Sequence, residues 1–190
     1  KVEGDFLIKK SKTEDIALLV PGDPLIATTH IELLLETKKQ KINCSVIHAS
    51  SILNAIAEVG LQMYKFGRIT TLVRPSKAFN PMSPYEVIYK NKKNNLHSLI
   101  LLDTNENELD AIDGLKLLLD YKHENGENIL SNNEKVVICC CLGNKDQVIK
   151  YGSVSDLVRD KKLIKKTPAT IILPAELHFK EEEALRMWTK

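Results

Sequence analysis

Four short stretches hold residue types that could bind a ligand or move charge: Gly22-Asp23-Pro24, His48-Ala49-Ser50-Ser51, Asp103-Thr104 and Leu142-Gly143-Asn144. Each follows an apolar run and precedes a helix or loop, the address at which open α/β sheets bind ligands. A carboxylate there can accept from a ribose hydroxyl or an amine, and a neighbouring glycine lets a ligand approach the backbone. Asp and Pro also fill ordinary turns, so the triplet alone points to a turn before it points to a site, with Asp23 bracing a nearby backbone N–H. Common catalytic layouts are missing. The sequence has no Gly-x-Ser-x-Gly elbow, no phosphate loop and no Gly-x-Gly-x-x-Gly fingerprint. His30, His48 and His97 flank strands and caps and read as structural residues rather than bases. Cys139-Cys140-Cys141 sits in an apolar run, with no Cys-x-x-Cys pair and no histidine at zinc spacing, so the cysteines read as strand core and no metal is expected. The basic run Lys161-Lys162-Leu163-Ile164-Lys165-Lys166 reads as a solvated face, with a patch for a nucleoprotein partner as its functional alternative.

Alternating strands and helices must position these loops. Ile16–Val20 is a short, wholly apolar run, the mark of a strand buried on both faces. The turn at residues 21–24 ends it, and Thr29-His30-Ile31-Glu32 fits a capping box opening a helix with Ile31, Leu34 and Leu35 on its apolar side. Cys44–His48 is the next expected strand. Ser50 and Ser51 cap a helix bearing Ile52, Leu53, Ile56 and Val59, which stops at Gly60. Further strands are expected at Arg68–Val73, Ser98–Leu102, Val136–Leu142 and Thr170–Leu173. One helix starts at Ser83-Pro84-Tyr85-Glu86 and another carries Ile112, Leu115, Leu118 and Leu119, with helical sequence between and after the last two strands. The clusters at 91–95 and 125–128 read as solvated loops or helix ends. The class is α/β, divided into residues 1–66, the remainder of an N-terminal α/β domain, and 67–190, a C-terminal α/β domain.

Composition narrows the function classes. With 190 residues, 43% apolar and 27% charged, the chain can bury a core as one large or two small domains. Lys and Arg number 27 against 25 acidic residues, so a net charge of +2 leaves no overall footprint for nucleic acid or an anionic membrane. No apolar run approaches the roughly 18 residues of a membrane helix. The first residues do not read as a secretory signal, and the chain, opening on Lys1 without a methionine, is expected to lack its own beginning. Four cysteines without a disulfide framework imply reduced cytosol.

Longer stretches carry a resemblance. Val20-Pro21-Gly22-Asp23-Pro24-Leu25-Ile26-Ala27-Thr28-Thr29-His30, Val46-Ile47-His48-Ala49-Ser50-Ser51-Ile52-Leu53-Asn54-Ala55 and Gly60-Leu61-Gln62-Met63-Tyr64-Lys65-Phe66-Gly67 stand in the order and spacing of the diphthine synthase family. His97–Asp103 and Leu177-His178-Phe179 with its acidic helix match too. The resemblance covers most of the chain, and the stretch from Gly60 to Gly67 is the most specific.

What the resemblance implies is a tetrapyrrole-methylase-like α/β fold: two α/β domains with S-adenosylmethionine in the cleft between them, in a cytoplasmic homodimer. The implied reaction is methylation of the modified histidine of translation elongation factor 2 in diphthamide biosynthesis, with methyl ester formation favoured and S-adenosylhomocysteine as product. The implied cofactor contacts are Asp23, Ile26, Ser51, Ile52, Leu102, Leu142 and Ala169. Ala169 stands where the family often has a histidine, so a contact there is expected through the backbone. No catalytic side chain is assigned. The family's first strand and glycine-rich loop have no counterpart in this sequence, and the stretch from Asn105 to Asp110 is shorter than the family's linker. Two alternatives remain: the same fold acting on a small tetrapyrrole-like acceptor, and a non-catalytic cofactor-binding module.

Overall fold

A computed structural model describes residues 2–76, 81–104, 108–121, 126–163 and 165–189, without the side chains of Val2 and Glu3. Asn105 to Asn107 of the short linker, Asn125 of the polar cluster and Ile164 of the basic run lie outside the described residues. Two compact units divide the chain, Lys1–Ala55 and Ile56–Lys190.

The described residues of the first unit form helices α1 (Val2–Lys10), α2 (Ile31–Lys39) and α3 (Ile52–Ala55), and no strand. Both strands expected here are corrected. Residues 16–20 and 44–48 have no ladder, and most of their apolar side chains are exposed, Leu19 at 89% and Ile47 at 85%, with Val20 and Val46 half-buried. An apolar run becomes a buried strand only where neighbouring strands satisfy its N–H and C=O groups, and the described residues of this unit supply none. Helix α1 went unread because its pattern, Val-Glu-Gly-Asp-Phe-Leu-Ile-Lys-Lys, is short and broken by a glycine. Helix α2 begins one residue later than the capping box implies. His30 is its N-cap and makes no side-chain cap bond, while Ile31 and Leu35 of its apolar side stay exposed.

The second unit is built on a five-stranded sheet in the order β1-β2-β5-β3-β4, with β1 at Thr70–Leu72, β2 at Ser98–Leu102, β3 at Lys135–Cys140, β4 at Val148–Ser153 and β5 at Ala169–Leu173. The β1–β2 pair is parallel and the others antiparallel. Strand side chains alternate between faces. Ile100, Leu102, Val136, Ile138, Cys140 and Ile171 enter the main core, joined by Ile88 of helix α4 (Ser83–Lys93) and Leu115 and Leu118 of α5 (Ala111–Asp120). Leu99, Val137, Cys139 and Ile172, at the alternate positions, are buried as well.

Two further helices, α6 (Val154–Leu157) and α7 (Phe179–Arg186), complete the unit. The expected 52–60 helix is short, passing into a 3-10 turn at Ile56–Val59 before Gly60. Residues 56–66, grouped with the first segment by pattern, belong to the second compact unit, where Ile56, Val59 and Leu61 are buried.

Three more differences have local causes. Strand β4 lies where helical sequence was expected. It is an edge strand whose side chains are mostly half-buried, so its pattern lacks a clean alternation. Met82, not Ser83, is the N-cap of α4. Asn91, assigned to a solvated cluster, is buried; its amide pairs with both backbone groups of Arg68, at 3.0 and 2.8 Å, as a strand would.

Candidate functional site

In the first unit the loops after residues 16–20 and 44–48 are joined by one carboxylate. Gly22 takes φ +78°, a left-handed conformation that suits glycine, and turns the chain into Asp23. Asp23 Oδ1 accepts from the backbone N–H of Leu25 at 2.9 Å. Its Oδ2 accepts from His48 Nδ1 at 2.8 Å and from the N–H of Ala49 at 3.2 Å. The Leu25 N–H, outweighing burial, together with His48 and Ala49, holds the Asp23 carboxyl below its ordinary value. His30 Nδ1 lies 3.0 Å from the carbonyl of Pro24 and tethers the same loop. Ser51 opens α3, its hydroxyl accepting from Leu53 N at 3.2 Å while its own N–H donates to Asn54 Oδ1 at 2.7 Å. Ile26 is exposed and Ile52 half-buried. Asp23 therefore braces both loops, and its link to His48 was not read from the sequence. Both residues stand in loops singled out there, but a pairing across 25 positions leaves no periodic signal.

In the second unit the three remaining positions come to one end of the sheet. Leu102 ends β2, and Ala169 begins the antiparallel β5 beside it, opposite Cys140 of β3. Leu142 lies two residues beyond the end of β3. Cys141 between them takes φ +52° and donates its N–H to Pro168 O at 2.9 Å, which ends the strand earlier than the apolar run suggests. Thr170 is buried, its hydroxyl donating to Ile100 O at 2.6 Å, and fixes β5 against β2 next to Ala169. The Leu102 side chain belongs to the core, so this end presents the half-buried Leu142 side chain and strand-end backbone groups.

The opposite end of this sheet holds two other features. A cavity of about 310 Å³ is lined by Ile88, Ser98, Leu130, Val136 and Leu173 and contains none of the candidate site residues. Its rim charges pair with each other, Lys92 Nζ lying 2.5 Å from Glu134 Oε1. Nearby, Glu181 is fully buried and accepts from Gln62 N at 2.8 Å, His97 Nε2 at 2.9 Å, Lys65 Nζ at 2.6 Å and His178 N at 2.9 Å. His97 Nδ1 accepts from Ala175 N at 2.8 Å, which places the ring hydrogen on Nε2. Burial pushes the Glu181 carboxyl up, but the four donors outweigh it and hold it down at about 2. Burial likewise pushes the His97 imidazole down, against the pull of Glu181. This network pins the Gly60–Gly67 stretch to α7; Glu181 escaped sequence reading because nothing in an acidic helix marks one glutamate as buried.

Comparison with known proteins identifies the family. The family model for tetrapyrrole (corrin/porphyrin) methylases matches residues 4–158. Diphthine synthase of Methanocaldococcus jannaschii is 40% identical over 188 residues, which span 96% of this chain and 72% of that protein. The diphthine synthase of Methanococcus aeolicus is 39% identical over 189 residues, 98% of this chain and 73% of its own. A crystal structure from Entamoeba histolytica, assigned to diphthine synthase, superposes with a TM-score of 0.89 at 31% identity, covering 99% of this chain and 76% of that one. The fold expected from the resemblance is the one these matches share, and the chain belongs to the diphthine synthase family of tetrapyrrole methylases, a family of methyltransferases.

Proposed function

We propose that the chain transfers methyl groups from S-adenosylmethionine to the modified histidine of translation elongation factor 2, on the way to diphthamide, with a methyl ester as the favoured end product. Family membership across nearly the whole length carries this reading. The residues present fit such a donor. Half-buried Leu142 offers apolar contact for an adenine ring, the backbones of Leu102 and Ala169 offer polar groups, and Asp23 Oδ1, with one described bond, keeps a lone pair for a ribose hydroxyl. When bound, the sulfonium supplies the electrophilic methyl carbon, so the protein's share is proximity and orientation. Asp23 holds two loops at fixed spacing, and Ser51 and Ile52 open α3 on the second of them. Ile26, exposed on the same loop, supplies an apolar contact.

The acceptor is a side chain on a large folded protein, and the working enzyme is a cytoplasmic homodimer. The test is a methylation assay on elongation factor 2 carrying the unmethylated intermediate, with isotope-labelled donor and mass measurement of the product. The expected product carries added methyl groups on the amine and an alkali-labile one on the carboxylate. Label entering a tetrapyrrole and not the elongation factor would overturn the reading, and failure to bind S-adenosylhomocysteine would leave only a decayed binding module.

A further inference from the structure

The bond between Asp23 and His48 is more than the bracing of a turn requires. Backbone donors from Leu25 and Ala49 already tie the carboxylate to both loops, at 2.9 and 3.2 Å. The third bond, at 2.8 Å, comes from His48 Nδ1. An ionised carboxylate only accepts, so in the neutral ring the hydrogen sits on Nδ1 and the lone pair on Nε2. The His48 side chain is 69% exposed, while the carboxylate behind it is 6% exposed. A buried acid fixes the tautomer of an imidazole whose basic nitrogen faces outward, the arrangement by which Asp-His pairs move protons in enzymes. His48 also lies three residues before Ser51, on the loop that opens α3.

We propose that His48 Nε2 is the general base of methyl transfer, taking the proton from a cationic amine of the acceptor, with Asp23 as the residue that positions it. This rests on the methyl-transfer reading above. An alkylammonium has no lone pair for attack until a proton leaves. That proton passes to Nε2 and the nitrogen keeps the electron pair. The new C–N bond then forms as the C–S bond of the sulfonium donor breaks, its electrons remaining on sulfur as a neutral thioether. The imidazolium afterwards gives its proton to water. A carboxylate acceptor is already ionised near neutrality, so the same base is idle in ester formation.

The decisive variant is His48→Asn. Its amide N–H stands where Nδ1–H stood and keeps the bond to Asp23, yet it has no basic nitrogen. The expected result is a fall in kcat for amine methylation of roughly 10²- to 10⁴-fold, with S-adenosylhomocysteine affinity by calorimetry within about two-fold and an unchanged melting temperature. His48→Ala regains part of its rate with added imidazole. Asn at wild-type rate, or a loss of S-adenosylhomocysteine affinity as large as the loss of rate, overturns the base and leaves His48 as a brace. A wild-type chain that methylates no amine overturns the underlying reading, and this one with it.

Discussion

Glu181 shows how one buried charge sets the acid limit of a fold. Its carboxyl is held down at about 2, against 4.5 for an ordinary glutamate. The unfolded chain therefore binds a proton between those values and the folded chain does not. The stability that Glu181 contributes is complete above about pH 4.5 and is lost as the pH falls towards 2. His97 acts in the same direction, because burial lowers its pKa below 6.5 and the unfolded ring protonates first. Chemical denaturation as a function of pH should show stability falling from just below pH 6.5 and more steeply below 4.5. Glu181→Gln removes the charge facing Lys65 and cannot accept from all four donors, so it should cost roughly 3–5 kcal/mol. A Glu181→Gln protein whose stability has lost none of that amount would contradict the account.

The cysteines test burial one residue at a time. Burial raises the Cys139 thiol far above its usual range and pushes Cys140 up to about 12, so neither forms the reactive thiolate near neutrality. Cys44 is exposed and Cys141 half-buried at the strand end. Native labelling with a thiol reagent, followed by peptide mapping, should modify Cys44 first, Cys141 more slowly, and Cys139 and Cys140 only with unfolding. Equal rates at all four would remove the strand-core reading.

At the scale of elements, legibility followed the completeness of each element's surroundings. Ser98–Leu102 and Thr170–Leu173 were readable because a strand buried on both faces is apolar throughout, and the sheet that buries them lies within this chain. Residues 16–20 have the same composition and form no strand, since the described residues around them supply no ladder. Edge strand β4 failed for the opposite reason: half-exposed, it needs neither apolar continuity nor strict alternation. The loops of the candidate site stand out in the sequence, but the bond from His48 to Asp23 does not, because tertiary pairing is not periodic. Gly60 was read as a helix stop, and it is also a packing requirement. It adopts φ +90°, and a Cβ placed there would lie 2.3 Å from Ala184 Cβ of α7. Neither a left-handed alanine nor that overlap is tolerated cheaply, so Gly60→Ala should destabilise by roughly 2–4 kcal/mol. Equilibrium denaturation reads this directly, and a neutral result would mean that α7 is free to shift.

The whole molecule is unequally stabilised. In the first 55 residues the described buried side chains are Ile8, Asp23 and Thr37, two of them polar; Ile56 to Leu185 supply the remaining core. Burial of apolar surface is the main favourable term in folding, and a helix of nine residues such as α2 is marginal without it. The second unit should then set the global stability while the first opens more readily. In amide exchange on the intact chain, the amides of β2, β3 and β5 should form the slowest class, exchanging only by global unfolding, whereas those of α2 should exchange through a smaller opening. A piece spanning 56–190 should melt cooperatively by itself, and one spanning 1–55 should show little fixed structure. Of the residues proposed to hold or serve the donor, Asp23, His48 and Ser51 lie in the less stable unit. A ligand that binds only when those loops are ordered adds RT ln(1 + [L]/Kd) to their opening free energy, about 2.7 kcal/mol at a hundred times Kd. Saturating S-adenosylhomocysteine should therefore slow exchange at residues 21–30 and 48–55 far more than in β3. Equal slowing everywhere would mean that the two units open together, and no slowing at residues 21–30 would remove the Asp23 loop from the donor site.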